Sequence, residues 1–225
     1  MSTFNFKAVT HKPTPGKAET ALMQPFKALT LERIFIPYTQ EALLSASAEI
    51  FAAGVTGFDT ESKPTFNRGD VSEGPHVVQF AIQDKAFIFQ LNRPECLPYV
   101  VEILQSEAVL KVGFGLQSDH AQIYHKLGVK LAAVLDMNHV FRKEGYGSST
   151  GVRAAVGLAM LQKFHKSKRV TTSNWAALQL NDKQLIYAAN DAYAALEVLN
   201  ALNRRREDLP IRWQMPLPEQ EAADA

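Results

Sequence analysis

The order of the apolar segments constrains this chain most. Between residues 55 and 91 three strand-like runs, "VTGFDTE", "HVVQFAIQ" and "KAFIFQL", follow one another with no helical period between them, and the last two read as a hairpin with a charged turn. Ahead of them "RIFIP" reads as a strand and "TQEALLSASAEIFAAG" as a helix opened by Thr39 and closed by Gly54. Beyond them the period changes. "PECLPYVVEILQSE" is helical, "VLKVGFG" is a buried strand, "LQSDHAQIYHKLG" is a helix ending at Gly128, and "LAAVLDM" is a further strand. "TGVRAAVGLAMLQKF" and the long "NDKQLIYAANDAYAALEVLNALNRRRE" complete the helices, with Asn181 as N-cap and Pro210 beyond the end. Strands in hairpin order, then strands alternating with helices, predict an α/β fold with a mixed central β-sheet flanked by α-helices.

A chain of 225 residues that is 46% hydrophobic can bury one full core. The first 30 or so residues mix Lys, Pro, Thr and Ala without a period. The expected organisation is therefore an N-terminal tail or loosely docked extension over 1–30, one domain over 31–210, and a C-terminal tail over 211–225. The sequence contains no internal repeat. A net charge of +1 excludes a polybasic arm or an acidic tail and leaves a nucleic-acid partner open. The lone cysteine, Cys96, excludes a disulfide framework and a cysteine-rich zinc module. No apolar run reaches the roughly 20 residues that span a bilayer, and the first 20 residues lack the apolar centre of a secretory signal. The expectation is a cytoplasmic protein with no membrane association.

Four carboxylates carry the chemical signal. In a strand, Asp59 and Glu61 of "VTGFDTE" point to one face while Phe58 and Thr60 point to the other. Two anions sharing a patch repel unless a cation lies between them or one keeps its proton; a solvated strand end is the plain alternative. Asp119 of "VGFGLQSDHAQI" follows a buried strand near the start of a helix, where it also suits the positive helix end. The same segment approximates a dinucleotide-binding turn, with Asp136 about 20 residues on, although Ser118 stands where the third glycine belongs and no βαβ unit opens there. In "LIYAANDAYAAL", Tyr187 and Asp191 are four residues apart and share a helix face, beside an apolar stripe through Leu185, Ala189, Leu196 and Leu199.

Taken in order, these segments resemble the DEDD-type 3′-5′ exonucleases of the tyrosine branch, the ribonuclease D and Werner-syndrome-type family. The resemblance covers roughly residues 33 to 205. Asp59 and Glu61 match its first motif, Asp119 its second, and Tyr187 with Asp191 its third; Ser173, Asn174 and Trp175 extend the similarity, and position 186 is Ile where the histidine branch would carry His. The resemblance implies a ribonuclease H-like (DnaQ-like exonuclease) fold. It further implies a metal-dependent hydrolase that releases nucleoside 5′-monophosphates from single-stranded 3′ ends of DNA or RNA. Oxygen-only ligands suit Mg²⁺ or Mn²⁺, and two such ions about 4 Å apart can serve an in-line displacement. By resemblance Asp59, Glu61, Asp119 and Asp191 hold the metals, and Tyr187 orients the attacking water. The alternative is a nucleic-acid-binding scaffold that keeps the fold and hydrolyses little.

The remaining features are less specific. Lys163, Lys166, Lys168 and Arg169 fit either a substrate cleft or a solvated loop, and Arg204, Arg205 and Arg206 are expected to close the last helix against its dipole. His120 and His125 are five apart, off a common helical face, and no nucleophile elbow or phosphate-binding P-loop is present.

Overall fold

A computed structural model of the chain describes residues 11–65, 69–147 and 150–216. Residues 1–10 and 217–225, parts of the two expected tails, lie outside the described residues. The elements run α1 (Lys17–Ala21), β1 (Gln24–Pro25), β2 (Ile34–Phe35), α2 (Gln40–Ala53), β3 (Val55–Glu61), β4 (Val77–Ile82), β5 (Lys85–Gln90), α3 (Leu97–Gln105), β6 (Leu110–Gly113), α4 (Leu116–Leu127), β7 (Ala132–Asp136), α5 (Met137–Lys143), α6 (Val152–Met160), β8 (Gln162–Lys163), α7 (Lys168–Thr171), α8 (Asp182–Leu202) and β9 (Arg212–Gln214).

Seven strands form the central sheet in the order β2-β5-β4-β3-β6-β7-β9. β3 pairs antiparallel with β4, which pairs antiparallel with β5 through the expected hairpin. On its other side β3 pairs parallel with β6, and β6 with β7. The sheet is therefore mixed. β4 is apolar but for Gln79 because both sheet faces are covered, and every one of its residues is buried. On one face Leu43 and Ile50 of α2, Ile103 of α3 and Leu116 and Ile123 of α4 pack with Phe58 and Phe80. On the other, Ala188, Ala189 and Ala192 of α8 pack with Val77, Ala81 and Ile88, and α5 and α6 continue that layer toward β7.

Local signals account for the helix ends. Thr39 accepts the Ala42 N–H at 3.2 Å to start α2, and Gly54, at φ 64°, ends it in the left-handed region. Asn181 accepts the N–H groups of Lys183 and Gln184 at the start of α8. The end of α8 departs from expectation. The helix stops at Leu202 with Asn203 left-handed at φ 46°, so Arg204, Arg205 and Arg206 lie past it. Arg204 pairs with Glu144 at 2.7 Å, and Arg205 pairs with Glu207 and Asp208 at 2.7 and 3.0 Å.

The segment ahead of residue 31 carries α1 and β1, and β1 pairs parallel with β8 in a small second sheet. Phe26 and Leu29 are buried; Phe26 meets Phe164 edge-on with ring centroids 5.4 Å apart. At the other end β9 adds an antiparallel edge to β7 and Met215 is buried. No helix among the described residues is long and apolar enough to cross a membrane.

Candidate active site

The site forms where β3 ends beneath α8. Gly57 faces α8 so closely that a Cβ there would lie 1.9 Å from the carbonyl oxygen of Ala192. With alanines lining the contact, backbone meets backbone. Asp59 and Glu61, two and four residues beyond Gly57, point to the same face, and Asp191 immediately precedes Ala192. The ligand atoms of Asp59, Glu61 and Asp191 consequently lie within 4.8 Å of one another. Glu61 and Asp191 are buried and Asp59 is half-buried.

Asp119, at the start of α4, is not part of that trio, although its charge acts on Asp59. Its carboxylate accepts the hydroxyl of Thr60, the residue between Asp59 and Glu61 that faces the opposite way. Tyr187 lies one turn before Asp191 and shares a 2.9 Å hydrogen bond with Thr171 Oγ1. Thr171 is held in turn by the Trp175 indole N–H, which donates to its carbonyl at 3.1 Å. Gln184 reaches Ser173 Oγ and the Asn174 carbonyl, so Ser173, Asn174 and Trp175 fasten the α7 loop to α8.

One cation enters the acidic group. Lys166 Nζ lies 2.6 Å from Asp191 Oδ2 and 5.4 Å from the centre of the Tyr187 ring. Burial, then the charges of Asp119 and Asp191, raises the Asp59 carboxyl well above its ordinary value. Burial, then Asp59 and Asp191, pushes Glu61 up to about 10. Burial raises Asp119 to about 6 against the lowering effect of the Thr60 hydrogen bond, and raises Asp191 against the pull of Lys166. Burial and the Asp191 charge raise Tyr187, leaving a neutral phenol near pH 7. Asp191 Oδ1 is enclosed with no hydrogen-bond partner. An orphaned carboxylate oxygen among like charges fits a hard divalent cation, and the all-oxygen donor set fits it equally.

Other sequence candidates resolve differently. The Asp136 carboxylate accepts the N–H groups of Gly115, Leu116 and Asn138 at 3.0, 3.1 and 2.9 Å. It caps two helices, and the amides of the apparent dinucleotide turn are already taken. His120 is buried against the Pro216 carbonyl at 2.7 Å. Of the basic run, Lys166 joins the acids, while Lys163, Lys168 and Arg169 are exposed. Two residues escaped sequence reasoning. Asn190 accepts the Leu29 N–H at 2.7 Å and donates to its carbonyl at 3.1 Å, a contact across 161 residues that no spacing announces. Gln79, directly across from Asp59 in β4, is buried with its amide unpartnered.

Solved structures share this architecture. The EXO domain of Aedes aegypti Nibbler is 21% identical, with a TM-score of 0.66, over 79% of this chain and 90% of that one. Trypanosoma brucei RNase D in complex with RNA U12 is 21% identical, with a TM-score of 0.67, over 80% of this chain and 65% of that one. The shared fold is ribonuclease H-like, a mixed central sheet flanked by helices. A family model described as 3′-5′ exonuclease matches residues 34–207. An Arabidopsis thaliana 3′-5′ exonuclease is 28% identical over 159 residues, 68% of this chain and 53% of the relative, so the chain spans about half of that protein's length. The chain belongs to the 3′-5′ exonuclease family.

Proposed function

We propose that this protein is a metal-dependent 3′-5′ exonuclease of the tyrosine branch that removes nucleoside 5′-monophosphates from single-stranded 3′ ends. The observation that carries the reading is the gathering of Asp59, Glu61 and Asp191, whose ligand atoms lie within 4.8 Å of one another. These three would hold one divalent ion, Mg²⁺ or Mn²⁺, and Asp59 with Asp119 would support a second. When bound, the ions supply charge neutralisation at the scissile phosphate and lower the pKa of a bound water. Tyr187, held neutral and fixed by Thr171, orients that water by hydrogen bonding and does not act as a strong base. Burial keeps bulk water from the acids and strengthens their grip on a cation. That Trypanosoma brucei RNase D has been solved with RNA U12 supports a nucleic-acid substrate. A cytoplasmic setting accords with the single buried thiol of Cys96.

The test uses 5′-labelled single-stranded DNA and RNA of matched sequence with Mg²⁺, Mn²⁺ or EDTA, and Asp59→Asn beside the parent protein. The expected result is a one-nucleotide ladder that needs metal and is absent in the variant. A metal-independent ladder, or one that survives Asp59→Asn, would overturn the reading. Tight binding with no ladder on either strand would favour a scaffold.

A further inference from the structure

A groove of about 710 Å³ runs beside the acidic site, walled by residues 14–17, the first turn of α6 and the α7 loop. Four cations line it: Lys17, Arg153, Lys166 and Lys168. Lys17, Arg153 and Lys168 are exposed and make no ion pair among the described residues, and no described Asp or Glu lines the groove. The nearest acid in sequence, Glu19, is engaged with the Gly16 N–H at 2.6 Å. In a chain of net charge +1, this is a local concentration of positive charge.

The groove and the site share two residues. Lys166 lines the groove and places its ammonium on Asp191; Thr171 lines it and bonds the Tyr187 hydroxyl. The outer wall comes from a part of the chain that the family match, beginning at residue 34, does not include. That wall is firmly docked. Gly157 of α6 lacks a Cβ where Pro15 and Thr20 carbons would lie 3.3 Å away, and β1 pairs with β8 just past Met23.

We propose that this groove is an upstream binding track for the sugar-phosphate backbone of a single strand whose 3′ end lies at the acids. The N-terminal segment thereby makes the protein prefer strands longer than a dinucleotide. The chemistry is cationic side chains and hydroxyls set along a path that leads to the acidic centre, which suits successive phosphodiesters. The inference rests on the exonuclease reading of the adjoining site.

The experiment compares kcat/KM on a single-stranded 12-mer and on a dinucleotide, with Mn²⁺, for the parent and for Lys17→Gln/Arg153→Gln. It also measures the salt dependence of 12-mer binding with Asp59→Asn added to both proteins. Both substituted side chains are exposed, so equal melting temperatures are the check on folding. The 12-mer-to-dinucleotide ratio should fall about tenfold at 0.1 M salt, and the log–log salt slope should become shallower by about 1.4, roughly 0.7 for each phosphate that the two removed cations had neutralised. An unchanged ratio and slope, with both substrates still cleaved, overturn the groove and leave the exonuclease reading standing. If the parent cleaves neither substrate but the slope still changes, the exonuclease reading fails and the track survives as a binding surface. A ratio that falls without a change in slope overturns the phosphate track.

Discussion

Gly57→Ala tests how the fold builds the site. The added Cβ would lie 1.9 Å from the Ala192 carbonyl oxygen, 2.7 Å from its carbonyl carbon and 3.3 Å from Leu196 Cβ. A carbon–oxygen contact relaxes to about 3.3 Å, so α8 and β3 must separate by about 1.4 Å. The neighbouring atoms are helix backbone, so no side-chain rotation can relieve the contact. Overpacking of this kind costs about 1–3 kcal/mol. The same separation carries Asp191, adjacent to Ala192, away from Asp59 and Glu61, and a displacement near 1 Å at a reacting centre can lower the rate about a hundredfold. The expected outcome is a protein that folds with a reduced melting temperature, binds Mn²⁺ more weakly by calorimetry, and loses kcat/KM by at least that factor. A variant with the parent's melting temperature and Mn²⁺ affinity would refute the claim that direct backbone contact at Gly57 sets the metal cage.

Replacing Lys166 with Met removes the cation 2.6 Å from Asp191; Mn²⁺ should bind about tenfold more tightly by titration calorimetry, since the ammonium and the ion compete for one carboxylate. Weaker binding would make Lys166 a support of the cage. In EDTA the protein should lose thermal stability from pH 5 to pH 7, because raised carboxyl pKa values mean that the folded state holds protons the unfolded chain has released. This stability is full below the ordinary values and is lost as pH rises toward the folded ones, about 6 for Asp119 and about 10 for Glu61. Saturating Mn²⁺ should abolish the decline. The decline is read as the difference from the Mn²⁺-saturated protein, because His76, His120 and His139, lowered by burial from about 6.5, and buried Lys111, lowered to about 7, act with opposite sign in both; the same pH profile with and without metal would contradict it. Asn190→Ala, by leaving the Leu29 N–H and carbonyl unmatched, should cost about 1–3 kcal/mol and expose residues 12–30 to limited proteolysis. Unchanged protease resistance would mean that Phe26 and Leu29 hold the segment without it.

The parts of the site that follow a period were legible in the sequence. A strand repeat of two put Asp59 and Glu61 together, and a helical step of four put Tyr187 beside Asp191. The expected hairpin and the alternation after it reproduced the sheet from β3 to β7 because those strands are long or strongly apolar. The N-terminal segment offered no such pattern. Its helix has five residues and its strand two, and its anchorage comes from Phe26, Leu29 and distant Asn190. Lys166 was half legible: the basic run fitted a cleft or a solvated loop, but its place on Asp191 was not visible, for a lysine in a loop has no face until the loop is placed. The end of α8 misled for a different reason. Asn203 takes the left-handed turn more often supplied by glycine, and the arginines beyond it resembled a cationic helix end.

These observations join in one electrostatic argument. Three carboxylates are drawn into a space 4.8 Å across with, among the described residues, one ammonium paired to them, in surroundings that raise the pKa of every one. Such a cluster opposes folding at neutral pH, so something else must hold α8 against β3. The alanine face on Gly57 does this with contacts that do not titrate, and the loop fastened by Trp175 and Gln184 holds Tyr187 and Lys166 to the same helix. The apolar contact and the acids are therefore one device: packing forces the charges together, and the unsatisfied charge becomes affinity for a divalent ion.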